Sequence, residues 1–134
     1  MRLGLGEKTR IGVGQVADIV IKAAYASVVE DEEDGFLFIG FAEGEEEDEP
    51  YVLFRQLLTG GPIWFEIGDE TFGAENAVAK VALTDKGLDI HIRPEASAKI
   101  GWANLISVRI GPTCEDAEGA VAALREMMGS SFHG

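Results

Sequence analysis

Apolar and polar positions alternate with period two through the second half of the chain. In Ile63-Trp64-Phe65-Glu66-Ile67 the odd positions are apolar. In Leu88-Asp89-Ile90-His91-Ile92-Arg93 the even positions are apolar and the odd ones polar or charged. Each segment predicts a strand with one face in the core and one toward solvent. Gly60-Gly61-Pro62 precedes the first, and Asp85-Lys86-Gly87 joins the second to a strand over 77–83, a tight-hairpin signal. Leu105-Ile106-Ser107-Val108-Arg109-Ile110 repeats the alternation and ends at Gly111-Pro112. In the first half, residues 18–29 are rich in Ile and Val, Phe36-Leu37-Phe38-Ile39-Gly40-Phe41-Ala42 is an apolar run of strand length that reads as buried, and residues 51–58 make a third strand after Pro50.

Helical periodicity shows in two places. Residues 94–100 predict one or two turns, with Pro94 at the first helical position and Gly101 as the stop. The C-terminal segment is stronger: Thr113 is placed to cap, Glu115, Asp116 and Glu118 suit the positive end of a helix, and Arg125 suits the other. Ala117, Val121, Leu124 and Met128 recur at intervals of four, three and four, which lays one apolar face on a sheet. Gly119 is the weak point, costing on the order of 1 kcal/mol against Ala. Gly129 closes the helix, and residues 130–134 are expected to fray. About seven short strands without a crossover helix between them predict an α+β fold, a mostly antiparallel sheet carrying a C-terminal α-helix and one short helix between late strands.

The chain has 134 residues, 46% of them hydrophobic, which suits a single domain over 1–134 with a core of its own. Residues 1–16 read as a flexible N-terminal segment. Gly12-Val13-Gly14-Gln15-Val16-Ala17 matches a dinucleotide-binding fingerprint in letters only, because no buried strand precedes it. No apolar stretch approaches the roughly 20 residues of a membrane-crossing helix, and no secretory signal stands at the N-terminus. Together with a single cysteine, Cys114, these features predict a cytoplasmic protein.

Charge changes the picture. The 24 acids and 11 bases give a net −13. Glu30, Asp31, Glu32, Glu33, Asp34, Glu43, Glu45, Glu46, Glu47, Asp48 and Glu49 supply eleven of those acids, and no Lys or Arg lies between Lys22 and Arg55. All but two units of the net charge therefore sit in residues 30–49. Nucleic acid is excluded as a partner, since phosphate binding needs positive charge, and a basic protein is the natural opposite. The two acidic runs are expected at opposite ends of the 36–42 strand. Tyr51, Trp64 and Trp102 are candidate aromatic anchors, although their position in or beside predicted strands also suits core packing.

Catalytic and metal chemistry find little support. His91, His133 and Cys114 form no ligand spacing, so neither metal nor cofactor is expected. Residues 30–35 resemble the start of a calcium loop, but Phe41 stands where the closing Glu belongs. No nucleophile elbow and no cysteine–histidine signature is present, so no catalytic residue is assigned. His91, between Asp89 and Arg93 on an outward strand face, reads as a solvated histidine.

The order of segments resembles a known family. Gly40-Phe41-Ala42 after an acidic turn is followed by Tyr51-Val52-Leu53-Phe54-Arg55-Gln56 and by an Ile-Trp-Phe-Glu-Ile strand leading to Gly68-Asp69-Glu70. The hairpin Val81-Ala82-Leu83 to Leu88-Asp89-Ile90 comes next, then Pro94-Glu95-Ala96 and Gly101-Trp102. Over about residues 17–128 this is similar to the Imm10-type immunity proteins of bacterial polymorphic toxin systems. It departs from that pattern at Arg55-Gln56, where the order is reversed, and at Phe72-Gly73-Ala74-Glu75-Asn76, which replaces a glycine-rich turn. The resemblance implies a cytoplasmic protein that binds and neutralises a cognate toxin and performs no chemistry itself. The expected partner surface comprises the eleven acids of residues 30–49 and Tyr51, facing a basic toxin such as a nuclease. Two other expectations stand beside it: a small enzyme or ligand-binding domain with a pocket between sheet and helix, rimmed by His91, Asp89 or Tyr51, and a homo-oligomer joined through an apolar patch.

Overall fold

A computed structural model describes residues 16–134. The described strands are β1 (Ile19–Asp31), β2 (Phe36–Ala42), β3 (Tyr51–Leu57), β4 (Trp64–Ile67), β5 (Asp69–Glu75), β6 (Val78–Leu83), β7 (Gly87–Ile92), β8 (Leu105–Glu115) and β9 (Phe132–His133). A 3-10 helix spans Pro94–Ile100, and the helix α1 spans Ala117–Met128. The α+β expectation holds, with a correction to the sheet. It is a mixed sheet of nine described strands in the order β9-β6-β7-β8-β1-β2-β3-β4-β5, in which β1 runs parallel to β8 and β9 parallel to β6. The other six pairings are antiparallel.

Register explains the core. Ala26, Phe41, Val52 and Ile67 stand opposite one another across four strands, as do Ile39, Phe54, Phe65 and Ala74 in the adjoining row. On the other side of β1, Ile21 aligns with Val108 and Leu88, and Ile90 aligns with both Ile106 and Val81. All these side chains share one face, all are buried, and they belong to a single apolar cluster. α1 covers that face over β1, β2 and β9, inserting Ala120, Leu124 and Met128. Only Asn76 and Ala77 separate β5, at one edge, from β6, near the opposite edge, so the sheet must roll into an open barrel. Asn76 takes φ +58° at this bend, and the Arg93 N–H donates to the Ala77 carbonyl at 2.7 Å. The 3-10 helix packs on β5 across the gap.

Several local expectations change. The segment 69–75, outside the seven expected strands, is the edge strand β5. β8 runs through Gly111-Pro112 to Glu115, so Thr113 and Glu115 are strand residues rather than helix caps. α1 instead begins after Asp116, which is left-handed (φ +60°) and makes no side-chain cap. A register break in β1 between Ala23 and Tyr25 faces this part of β8, which lets a proline sit where no ladder bond is required. Residues 130–134 do not simply fray: Phe132 is buried and pairs with Val81 at the sheet edge. The short helix forms where expected, as a 3-10 helix stopped by left-handed Gly101. The glycine pattern at 12–15 lies outside the described residues. No described helix is long and apolar enough to cross a membrane.

Candidate functional site

The face of the sheet turned away from α1 is not uniformly polar. Across β1–β4 one outward row reads Val29, Phe38, Arg55, Trp64, and the neighbouring row toward the β1–β2 turn reads Asp31, Phe36, Leu57. Val29 is 51% exposed and Leu57 43%, while Phe36, Phe38, Leu53 and Trp64 are half-buried. The apolar run 36–42 is therefore only partly a core strand, since Ile39 and Phe41 alone are buried. No described element packs over this face.

Arg55 sits at its centre. Its guanidinium carbon lies 5.1 Å from the Phe36 ring centroid and 5.0 Å from that of Trp64, a cation held between two aromatic faces. Phe38 is tilted against Phe36 at 6.0 Å. Beside this stack lies a buried carboxylate. Glu66 is 7% exposed; the Tyr51 hydroxyl donates to its Oε2, and Trp64 Nε1–H donates to its Oε1 at 2.8 Å. Burial and then the Glu66 carboxylate push the Tyr51 phenol well above its usual range, so Tyr51 stays a donor. The indole lies over Gly73 of β5, where a Cβ would come within 2.4 Å of the ring. Sequence reasoning placed Tyr51 and Trp64 among candidate anchors and gave no role to Arg55, Glu66 or Gly73. Their signal was present in register: the outward positions put Arg55 opposite Trp64 and Glu66 opposite Gly73, with Tyr51 one diagonal step from Glu66.

The twelve expected site residues divide. The 30–34 run and the 43–49 run sit at opposite ends of the seven-residue β2, roughly 20 Å apart at strand rise. That exceeds the ~8 Å screening length at physiological salt, so they act as two separate fields rather than one patch. Within the first run, Glu32, Glu33 and Asp34 are exposed in the turn, whereas Asp31 Oδ1 accepts the N–H groups of Glu33 and Asp34 at 3.1 and 3.2 Å and shapes it. Glu30 alternates to the inner face opposite Leu37 and lines the cleft beside α1. Within the second run, Glu45, Glu46, Glu47 and Asp48 are exposed. Glu43 Oε2 accepts the Lys22 N–H at 2.8 Å, and the Glu49 carboxylate folds over Gly44. Tyr51 joins the Glu66 network at the edge of this second loop. Trp102, the third candidate anchor, is 75% exposed beside the 3-10 helix, away from the Arg55 stack.

The alternative pocket rim is not assembled. Tyr51 is on β3, whereas Asp89 and His91 are on β7, with β8, β1 and β2 between them in the sheet. Asp89 accepts the Ser107 hydroxyl at 2.7 Å. Burial, and then Lys80, lower the His91 pKa. A cleft of about 370 Å³ does lie between the sheet and α1, lined by Val28, Leu37, Met127, Glu30, Glu126 and Gln56. The Gln56 side chain is engaged, its Nε2 donating to the Gly61 carbonyl at 2.7 Å. Among the described residues no three His, Cys, Asp or Glu side chains converge as metal ligands. Comparison with protein-family models, curated proteins and solved structures gave no match.

Proposed function

We propose that the chain is a binding protein of the immunity type, which captures a basic toxin on the outer face of β1–β4 and neutralises it by occupancy, without catalysis. One observation carries this reading: an aromatic and aliphatic patch, centred on the stacked Arg55 and covered by no described element, lies between two acidic turns. Specific interfaces share this anatomy, an apolar centre with aromatic and Arg anchors inside a charged rim. The acidic turns steer a basic partner toward the face, and the patch supplies short-range contact. A nuclease toxin suits the arrangement, since carboxylates can stand where phosphates would bind. The resemblance to the Imm10-type proteins points the same way, and a cytoplasmic location belongs to this reading.

The test uses the purified protein as bait for lysate from cells carrying the native locus, with elution by a salt gradient. The expected result is one basic protein whose toxicity is relieved by co-expression of this chain. Arg55→Ala should weaken capture by about 2 kcal/mol or more, the range of interface hot spots. Triple Glu→Gln replacement at 45–47 should flatten the salt dependence. A captured protein that is equally toxic with and without the chain would refute the proposal, as would affinity and salt dependence untouched by both variants.

A second reading, a ligand-binding domain or small enzyme, is favoured by the cleft between sheet and α1 and its carboxylates Glu30 and Glu126. It predicts that Glu126→Gln alters small-molecule binding while leaving toxin capture intact.

A further inference from the structure

The rolled sheet has an open end, and the described residues leave a cavity of about 410 Å³ there. Its wall is aliphatic and aromatic: Ile19 and Ile21 from β1, Ile67 from β4, Phe72 from β5 and Ile100 from the 3-10 helix. Ile21, Ile67 and Ile100 are themselves part of the buried core, so the cavity is a continuation of the core to the surface. Phe72 stands 48% exposed at its side. Asp48 and Glu49, from the loop between β2 and β3, and Tyr51 at the start of β3 also line it, and no Lys or Arg is among the lining residues. The volume falls within the usual range for small-molecule sites, in which apolar walls supply affinity and a few polar groups fix orientation.

We propose that this cavity binds a small cationic amphiphile, an alkyl or aryl amine, with its apolar part against Ile19, Ile21, Ile67, Phe72 and Ile100 and its ammonium group beside Asp48 and Glu49. An anionic amphiphile of the same length would place its charge against two carboxylates. A neutral one would leave the acids fully solvated but gain nothing from them. The site therefore selects by charge sign at the mouth and by apolar volume inside. Its apolar wall lies on the inner side of the sheet, but it shares Asp48, Glu49 and Tyr51 with the edge of the proposed toxin surface, so a bound amphiphile and a toxin would meet at that acidic turn.

The isoleucines make the test direct. The full-length protein, labelled at Ile δ1 methyl groups, is titrated below the micellar range with decyltrimethylammonium, decyl sulfate and decanol. The methyls of Ile19, Ile21, Ile67 and Ile100 report the cavity, and those of Ile39 and Ile90 serve as internal references. The expected result is a saturable shift confined to the first group, tighter for the ammonium than for decanol by roughly three- to tenfold, the scale of two solvent-exposed ion pairs. The double variant Asp48→Asn with Glu49→Gln removes an exposed and a half-buried charge at nearly constant size and should reduce that preference to near unity while leaving decanol binding in place. Equal affinity for all three probes would overturn the proposal, as would shifts spread over both groups of isoleucines. Contacts in the probe-free protein between these cavity methyls and Leu3, Leu5, Ile11 or Val13 would also overturn it, because the chain itself would then fill the space. A cavity that binds decyl sulfate more tightly would reverse the assignment of ligand charge.

Discussion

The two faces of one sheet use the same residue types to opposite ends. On the inner face, Phe54 and Phe65 are wholly buried, with ring centroids 5.0 Å apart, and every neighbour in their row is apolar. On the outer face, Phe36 and Trp64 hold a guanidinium between them and remain half in solvent. Inside, an aromatic ring contributes by leaving water; outside, it positions polar groups and keeps part of its surface available. The inner face should therefore govern stability and the outer face recognition, and substitutions can separate the two.

The largest effect belongs inside. Phe54→Ala should lower unfolding free energy by about 3–5 kcal/mol, the usual cost of removing a buried aromatic and leaving its cavity, read from the midpoint of urea denaturation. A loss below about 1 kcal/mol would show that the two faces do not differ as described. Substitutions around Glu66 should come next. Tyr51→Phe removes one donor from a buried carboxylate and should cost about 1–3 kcal/mol. Gly73→Ala reaches the same network from the other side: its Cβ would displace the indole and pull Trp64 Nε1–H away from Glu66. In a Trp102→Phe background, so that Trp64 alone emits, its fluorescence should move to longer wavelength along with a similar loss of stability.

Arg55→Ala then tests the division of labour most sharply. Stacking of a partly exposed cation on aromatic rings contributes on the order of 1 kcal/mol, so the variant should unfold close to the parent midpoint. The same substitution removes the centre of the proposed interface. Large loss of stability with little loss of partner binding would assign Arg55 to the fold instead.

Much of this architecture was legible in the sequence, and what was not has identifiable causes. Seven strands announced themselves, three by large apolar residues on alternate positions and the others by apolar runs bounded by charge, glycine or proline; Ile39, Phe41, Val52, Phe54 and Phe65 fall in register among them. β5 did not: Asp-Glu-Thr-Phe-Gly-Ala-Glu lies at an edge, pairs on one side only, and buries only Ala74. β9 has two residues, and its evidence is the burial of a single phenylalanine. The parallel pairing of β1 with β8 depends on contacts between residues about 87 positions apart, such as the Asp18 carboxylate that accepts the N–H groups of Asn104 and Leu105, and no local pattern encodes these. The candidate site was half legible. Alternation tells which side chains share a face, but only the placement of α1 decides which face stays open. Hence Phe36 and Phe38 read as core, and Arg55 and Glu66 carried no expectation.

The smallest effect expected is a pH dependence, and it concerns the outer face near the opposite edge of the sheet. His91 on β7 stands beside Lys80 of β6, with Leu105 of β8 on its other side, and feels Asp89 of its own strand and His133 of β9. Burial lowers its pKa first, Lys80 and His133 lower it further, and Asp89 opposes them. A histidine that resists protonation in the folded state binds its proton more readily once unfolded. Its contribution to stability is therefore complete above the unfolded value near 6.5 and is lost as pH falls from there through the lower folded value. His91→Gln should remove that slope, so thermal midpoints of parent and variant, compared between pH 7 and pH 5, should change in parallel except for a steeper decline in the parent. If the parent were instead stabilised relative to the variant on acidification, Asp89 would be the dominant neighbour and this edge of the outer face would carry a paired imidazolium rather than a half-buried neutral ring.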